Sequence, residues 1–203
     1  MRKIHAFVSL VALMSIALAA RGLADDQKDA GVNIGAKAPD FSLQDQNGKV
    51  VSLHDSLGKI VVLEWTNPEC PIVQRHYAAK TMLTLNSQFQ DKGVVWLAIN
   101  SSNFATNDSD KQWAAEQNIS YPVLNDASGA TGHAYHATNT PDMYIVGTDG
   151  TLLYQGGIDN DPHGDMTGGK INYVHQALDE ILAGKSVSVP ETKPYGCSVK
   201  YKD

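Results

Sequence analysis

Apolar residues fall in unbroken runs separated by polar stretches rich in turn formers. Ile60-Val61-Val62-Leu63 is one such run, three of its four residues β-branched, and it reads as a buried strand. Ile72 to Gln90 holds neither Pro nor Gly, and Val73, Tyr77, Met82, Leu85 and Phe89 make a helical stripe within it. Pro71 suits the first turn of that helix, where a missing N–H is no loss, and Lys92-Gly93 ends it. Val94 to Ile99 is a second continuous apolar run, so the order strand, helix, strand predicts a βαβ unit with parallel strands. Upstream, the turn signal Asp45-Gln46-Asn47-Gly48-Lys49 separates Phe41-Ser42-Leu43 from Val50-Val51-Ser52-Leu53 and predicts a β-hairpin. Downstream, the pattern predicts a short helix over Asp110–Asn118 capped by Ser109, a brief strand at Tyr121–Leu124, and a helix or turn over Ala127–His136. A hairpin follows, with strands at Asp142–Val146 and Leu152–Gly156, then a polar loop at Gly157–Gly169 and a helix over Ile171–Leu182. This order fits an α/β fold with a mixed sheet and helices on both faces, in one domain with no linker inside residues 34–183.

Only the first segment is long and apolar. Arg2 and Lys3 precede Ala6–Ala20, and small residues stand at cleavage spacing in Ala17-Leu18-Ala19 and Gly22-Leu23-Ala24. The segment reads as a secretory signal over 1–24, cut after Ala24, with an uncleaved anchor as the alternative. No Cys lies near the cut, which argues against a lipoprotein. A polar, loose segment over 25–33, a domain over 34–184 and a tail over 185–203 complete the division. The expectation is an exported protein, periplasmic in the first instance and secreted in the second, free of the membrane once cleaved. Losing Arg2, Lys3 and Arg21 takes the formal charge from −6 to −9 and leaves Arg75 as the only arginine. With no basic stripe, nucleic-acid binding is excluded.

Two cysteines remain to carry chemistry, Cys70 and Cys197. Cys70 stands between the Ile60 strand and the Pro71 helix. The free amides and dipole at a helix N-terminus favour an anion there, and a thiolate is both an anion and the nucleophilic form of cysteine. In an oxidising compartment the two thiols are able to pair, so a structural disulfide tying the tail to the core stands beside the redox reading. Glu69 opposes a thiolate at its neighbour unless it points outward. His76, on the predicted helix, reads as a surface or packing residue, and Trp65 as core or groove wall. His133 and His136 read as a surface pair. The oxygen-rich Asp159-Asn160-Asp161-Pro162-His163-Gly164-Asp165 lacks EF-hand spacing and reads as a solvated turn.

Four features carry a family resemblance. They are Pro39-Asp40-Phe41 with its hairpin; the strand ending in Trp65, with Cys70-Pro71 five and six residues on; Thr140-Pro141-Asp142 before the Met143 strand; and Asp149-Gly150 followed by Leu153-Tyr154-Gln155-Gly156-Gly157-Ile158-Asp159. In order and spacing they resemble the thioredoxin fold and, within it, the peroxiredoxin-like AhpC/TSA redoxins, over about residues 34–184. The tail Lys193-Pro194-Tyr195-Gly196-Cys197-Ser198 is similar to that of a little-characterised peroxiredoxin-like subfamily. The resemblance implies a thioredoxin-like fold with a central mixed sheet and an N-terminal hairpin, and a cis Pro141 packed beside Cys70. It implies a substrate groove formed by Trp65, Asn67, Pro71, Thr140 and Pro141. Cys70 is then the nucleophile on a disulfide or a peroxide, and Cys197 is the candidate resolving thiol. The partner is a thiol or disulfide redox protein, or a peroxide, and no metal or other cofactor is implied.

The departures matter. Thioredoxins place a second cysteine three residues after the first, where this chain has Val73. Peroxiredoxins place a Thr where this chain has Asn67, and a later Arg that polarises peroxide. None follows Arg75, itself useful only if it folds back toward Cys70. Two other classes stay open. A Sco-like metal carrier needs a second cysteine where Gln74 stands, and a non-catalytic thioredoxin-fold protein would use Cys70–Cys197 as a staple.

Overall fold

A computed structural model describes residues 32–202. The signal read over 1–24 and all but the end of the 25–33 segment lie outside the described residues. The strands are β1 (Ser42–Asp45), β2 (Val50–Ser52), β3 (Ile60–Trp65), β4 (Val94–Asn100), β5 (Val123–Asn125), β6 (Asn139–Thr140), β7 (Asp142–Val146), β8 (Leu152–Gly156) and β9 (Cys197–Ser198). The α-helices are α1 (Pro71–Ala78), α2 (Thr81–Phe89), α3 (Asn107–Gln117), α4 (Ala130–Ala134) and α5 (Tyr173–Leu182). Seven strands form one mixed sheet in the order β2-β1-β5-β4-β3-β7-β8. β3, β4 and β5 run parallel, while β7 and β8 add antiparallel on one side and the β1–β2 hairpin on the other.

All of β3 is buried, because helices or loops cover both faces of the sheet centre. Its alternate residues therefore feed two cores. Val61, Leu63 and Trp65 pack with Phe41, Tyr135 and Tyr144. Ile60 and Val62 pack under α1, α2, α3 and α5, with Val73, Tyr77, Phe89, Trp113 and Leu178. α4 and Tyr135 lie on the first side.

The single helix predicted from Ile72 to Gln90 is two. Lys80 takes a left-handed conformation, φ 57°, and α2 starts after it. The apolar spacing explains the break. Val73 to Tyr77 and Met82-Leu85-Phe89 each keep helical spacing, but the step from Tyr77 to Met82 does not, and the turn at Lys80 brings both sets onto the same core. α3 starts earlier than predicted, at Asn107. Its cap is Thr106, whose Oγ1 accepts from the Ser109 amide at 3.1 Å while Ser109 Oγ accepts from the Thr106 amide at 3.0 Å. Ser109 is thus the reciprocal partner in a capping box, not the cap.

The tail is the largest addition to the predicted elements. Along the β8 edge the Thr192 amide donates to the Gln155 carbonyl and the Gln155 amide to the Pro190 carbonyl, both at 3.0 Å, and the Thr192 hydroxyl accepts from the Gly157 amide at 2.9 Å. The chain then crosses to pair β9 antiparallel with β6, Cys197 opposite Thr140. Beyond β9, Tyr201 stacks on His133 and donates to the Ala137 carbonyl at 2.8 Å.

Candidate active site

The turn between β3 and α1 places the first thiol. The Asn67 side chain accepts from the Glu69 amide at 2.8 Å, and the Cys70 amide donates to the Asn67 carbonyl at 3.0 Å. Asn67 therefore shapes the turn. Cys70 is the N-cap of α1, with Pro71 in the first helical position. Its side chain is 1% exposed and its thiol donates to the Thr140 carbonyl at 3.1 Å. The Thr140–Pro141 bond is cis. Glu69 is exposed and points outward, so its charge stays in water.

The second thiol comes from the other end of the chain. The β6–β9 register sets Cys197 opposite Thr140, whose carbonyl accepts from the Cys70 thiol, and Cys197 packs against the core cluster that contains Cys70. Burial pushes the Cys70 thiol up, but donation from Cys197, the Val73 amide and Thr140 outweighs it, and the net shift is downward. Cys197 moves the opposite way. Burial, then the bond and charge of Cys70, raise it to about 11. Of the pair, Cys70 is the thiolate former. Cys70, as the N-cap, sits at the first turn of α1.

The remaining expected groove residues divide. Thr140 and Pro141 border the thiols, and Pro71 is exposed at the helix start. Trp65 lies on the opposite face of the sheet, fully buried, with its ring 5.0 Å from both Tyr135 and Tyr144, and its indole N–H donating to Ser101 Oγ at 3.1 Å. It is a core residue and forms no wall of the groove. Arg75 does not fold back toward Cys70. Its guanidinium donates to the carbonyls of Pro162 and Asp161 at 2.9 and 3.1 Å. Gln74 donates to the Pro68 carbonyl at 2.8 Å. Among the described residues, no group of three or more His, Cys, Asp and Glu is placed to hold a metal.

Three polar features of this region go beyond the sequence reading. The Asp159–Asp165 stretch is solvated from Pro162 onward but not at its start. Asp159 and Asp161 are buried, and Lys170 reaches both carboxylates at 3.2 Å. Of the two readings of His76, surface or packing, the structure takes packing: it is buried, and burial lowers it to about 4. Its Nε2 lies 3.0 Å from the Tyr195 hydroxyl. The third is Glu64, fully buried in the centre of β3, where it accepts from the Tyr77 hydroxyl at 2.9 Å and Trp96 Nε1 at 2.8 Å. The signal for Glu64 was a lone acid inside an otherwise apolar central strand.

Burial raises Glu64 from 4.5 to about 7. The folded state therefore holds this proton more tightly than the unfolded chain. Its contribution favours folding fully below about pH 4.5 and is lost as pH rises through about 7. In Glu64→Gln the fall in unfolding free energy between pH 5 and pH 8 should shrink by ~2–3 kcal/mol, as read by urea titration at both values. His76, Asp110 and Asp142 titrate alike in both proteins and cancel in the comparison. An unchanged pH slope would mean Glu64 ionises normally.

The AhpC/TSA family model matches residues 34–155. The chain is 31% identical over 130 residues to "Thioredoxin-like protein YneN" of Bacillus subtilis, a match that covers 62% of this chain and 72% of that protein. It is 25% identical over 128 residues to "Thiol-disulfide oxidoreductase ResA" of Bacillus thuringiensis subsp. konkukian, covering 63% of this chain and 72% of the relative. Among solved structures, an uncharacterized conserved protein from Geobacillus kaustophilus superposes with a TM-score of 0.75 at 28% identity, covering 85% of this chain and 94% of that one. The thiol at a helix N-terminus beside a cis proline, the mixed sheet that holds it, and a family match across most of the domain agree: the chain belongs to the AhpC/TSA family of thioredoxin-fold redoxins.

Proposed function

We propose that this protein is an exported thiol–disulfide oxidoreductase whose redox pair is Cys70 and Cys197. The observation that carries the reading is the β6–β9 pairing, which sets the tail thiol against the thiol at the α1 N-terminus. The Cys70 thiolate attacks one sulfur of a substrate disulfide, forms a mixed disulfide and releases the other half as a thiolate. Cys197 displaces the second half by bonding to Cys70 Sγ as the Cys70–substrate bond breaks, its proton passing to the departing substrate thiolate. The substrate gains two electrons and the protein holds a Cys70–Cys197 disulfide, which a dithiol partner reduces. The raised Cys197 makes it the poorer thiolate in water. Its position beside the mixed disulfide compensates by making the second attack intramolecular. Export is supported by the basic start and apolar stretch of residues 1–24.

One observation favours a peroxide as the oxidant instead. Cys70 lies under the tail, where a small molecule reaches it more readily than a protein. Peroxide oxygen would convert the thiolate to a sulfenic acid and release hydroxide. Cys197 would then form the same disulfide with loss of water. Arg75, turned toward the Asp161–Pro162 carbonyls, gives that reaction no cation at the sulfur.

The test exposes the reduced protein, beginning at Asp25, to oxidised glutathione or hydrogen peroxide and follows intact mass. Under the proposal, glutathione disulfide removes two hydrogens and peptide mapping finds Cys70 joined to Cys197. Faster oxidation by peroxide, with little reaction toward disulfides, would move the assignment to peroxide reduction. A disulfide that forms but resists every dithiol reductant would make the pair a staple, and absence of the disulfide would end the redox-pair reading.

A further inference from the structure

β9 is two residues long, yet it must hold Cys197 in place over a buried sulfur. A side chain two positions upstream reaches further into the fold. The Tyr195 hydroxyl donates to Asp159 Oδ1 and lies 3.0 Å from His76 Nε2. The phenol has one proton and gives it to the carboxylate. The bond to His76 therefore needs an N–H on Nε2, which leaves Nδ1 as the acceptor for the Thr81 hydroxyl at 3.4 Å. Asp159 is itself buried and is countered by Lys170 at 3.2 Å. Thr81, His76, Tyr195 and Asp159 thus form one directed chain of hydrogen bonds ending at an ion pair.

The placement of this chain is what gives it a role. His76 lies on α1, the helix that carries Cys70 at its N-terminus, and Asp159 lies just beyond β8. Tyr195 ties the tail to the helix of the partner thiol. The other tail anchors, Thr192 and Tyr201, hold it to the β8 edge and to the region of α4. No step of thiol exchange uses His76, Asp159 or Tyr195, so a set of buried, polar, mutually satisfied groups is left without a catalytic task.

We propose that Tyr195 is a positioning residue for the thiol pair. Its hydroxyl, clamped between His76 and Asp159, fixes Cys197 over the first turn of α1 and so sets how readily Cys70 and Cys197 form a disulfide. The proposal rests on reading the two thiols as a redox pair. Removing the hydroxyl leaves the buried His76 N–H without its acceptor and takes one of two donors from Asp159 Oδ1, the Asp161 amide at 2.9 Å remaining, and the tail gains freedom. The effective concentration of the Cys197 thiol at Cys70 then falls.

The experiment equilibrates the wild type and Tyr195→Phe in glutathione redox buffers and counts protein thiols by mass. The equilibrium constant for disulfide formation should fall about tenfold in the variant, ~30 mV toward a more oxidising couple. In a Cys197→Ser background, Tyr195→Phe should also speed iodoacetamide alkylation of Cys70, because the strap over the sulfur loosens. Asp159→Asn, tested the same way, should shift the equilibrium in the same direction and serves if Tyr195→Phe does not fold. A wild type that forms the disulfide with both variants unchanged would overturn the positioning role and leave the redox pair standing. A wild type that forms no disulfide at any buffer ratio would overturn both.

Discussion

Cys70→Ser should lower turnover of a disulfide substrate by about a thousandfold or more, because the hydroxyl that replaces the thiol is neither ionised at neutral pH nor able to form the covalent intermediate. Cys197→Ser should behave differently. It keeps the nucleophile at the α1 N-terminus and loses only the second attack, so a single exposure to substrate should leave the protein stalled as a mixed disulfide at Cys70. The distinction follows from the opposite shifts of the two thiols, Cys70 downward and Cys197 to about 11. Insulin reduction followed by mass spectrometry of the trapped species reads both. If the two variants exchange behaviour, with the adduct forming on Cys197 in Cys70→Ser, then the half-buried tail thiol is the attacking group and the assignment of roles is reversed. If neither variant alters turnover, the chemistry lies elsewhere.

Gly196→Ala should detach the tail from the active site. Gly196 has φ 116°, a region that an L side chain adopts only with strain, and a Cβ there would overlap the Thr140 carbonyl. That carbonyl is the acceptor of the Cys70 thiol, so the overlap falls at the centre of the site. The chain can relieve it only by moving Thr140 or by lifting β9, and lifting β9 sacrifices two residues of pairing. We expect a loss of ~2–4 kcal/mol of stability in the reduced protein, with rapid tryptic cleavage at Lys200. Disulfide formation between Cys70 and Cys197 should slow in parallel. Urea unfolding and timed proteolysis measure the two effects. Wild-type resistance to trypsin and an unchanged unfolding midpoint would mean that Gly196 does not lie against Thr140 as described. Gly156 forms a second such contact, with a Cβ overlapping the Thr192 carbonyl, so the strap is seated at two points where only glycine fits.

The separation of the two cysteines has a chemical consequence. With Val73 in the helix, this protein has no second sulfur on the same turn as the first. Under the proposed mechanism the tail supplies one through backbone pairing with β6, and the redox chemistry would then depend on whatever holds the tail down.

What the sequence determined by itself was local. The strand from Ile60, the helix start at Pro71 and the junction holding Cys70 rest on interactions within a few residues, and the runs of apolar and β-branched residues show them directly. The alternation of two-sided burial along the central strands is of the same kind, and so is the hairpin at Asp149-Gly150. The break at Lys80 was written in the five-residue step from Tyr77 to Met82, though only the shared core shows why the chain turns there. The tertiary structure decided the rest. Trp65 has the same composition and neighbours whichever face it takes; the pleat sends it away from Cys70. Asp159 and Asp161 look like surface residues because charged side chains normally are, and His76 is readable either way. They are buried here because partners distant in sequence, Tyr195 and Lys170, satisfy them. Cys197 sits in a tail with no periodicity, and two residues of strand leave no pattern to read. Its place beside Cys70 is set by pairing with Thr140, a contact between remote segments made through the backbone, which every residue type but proline can make.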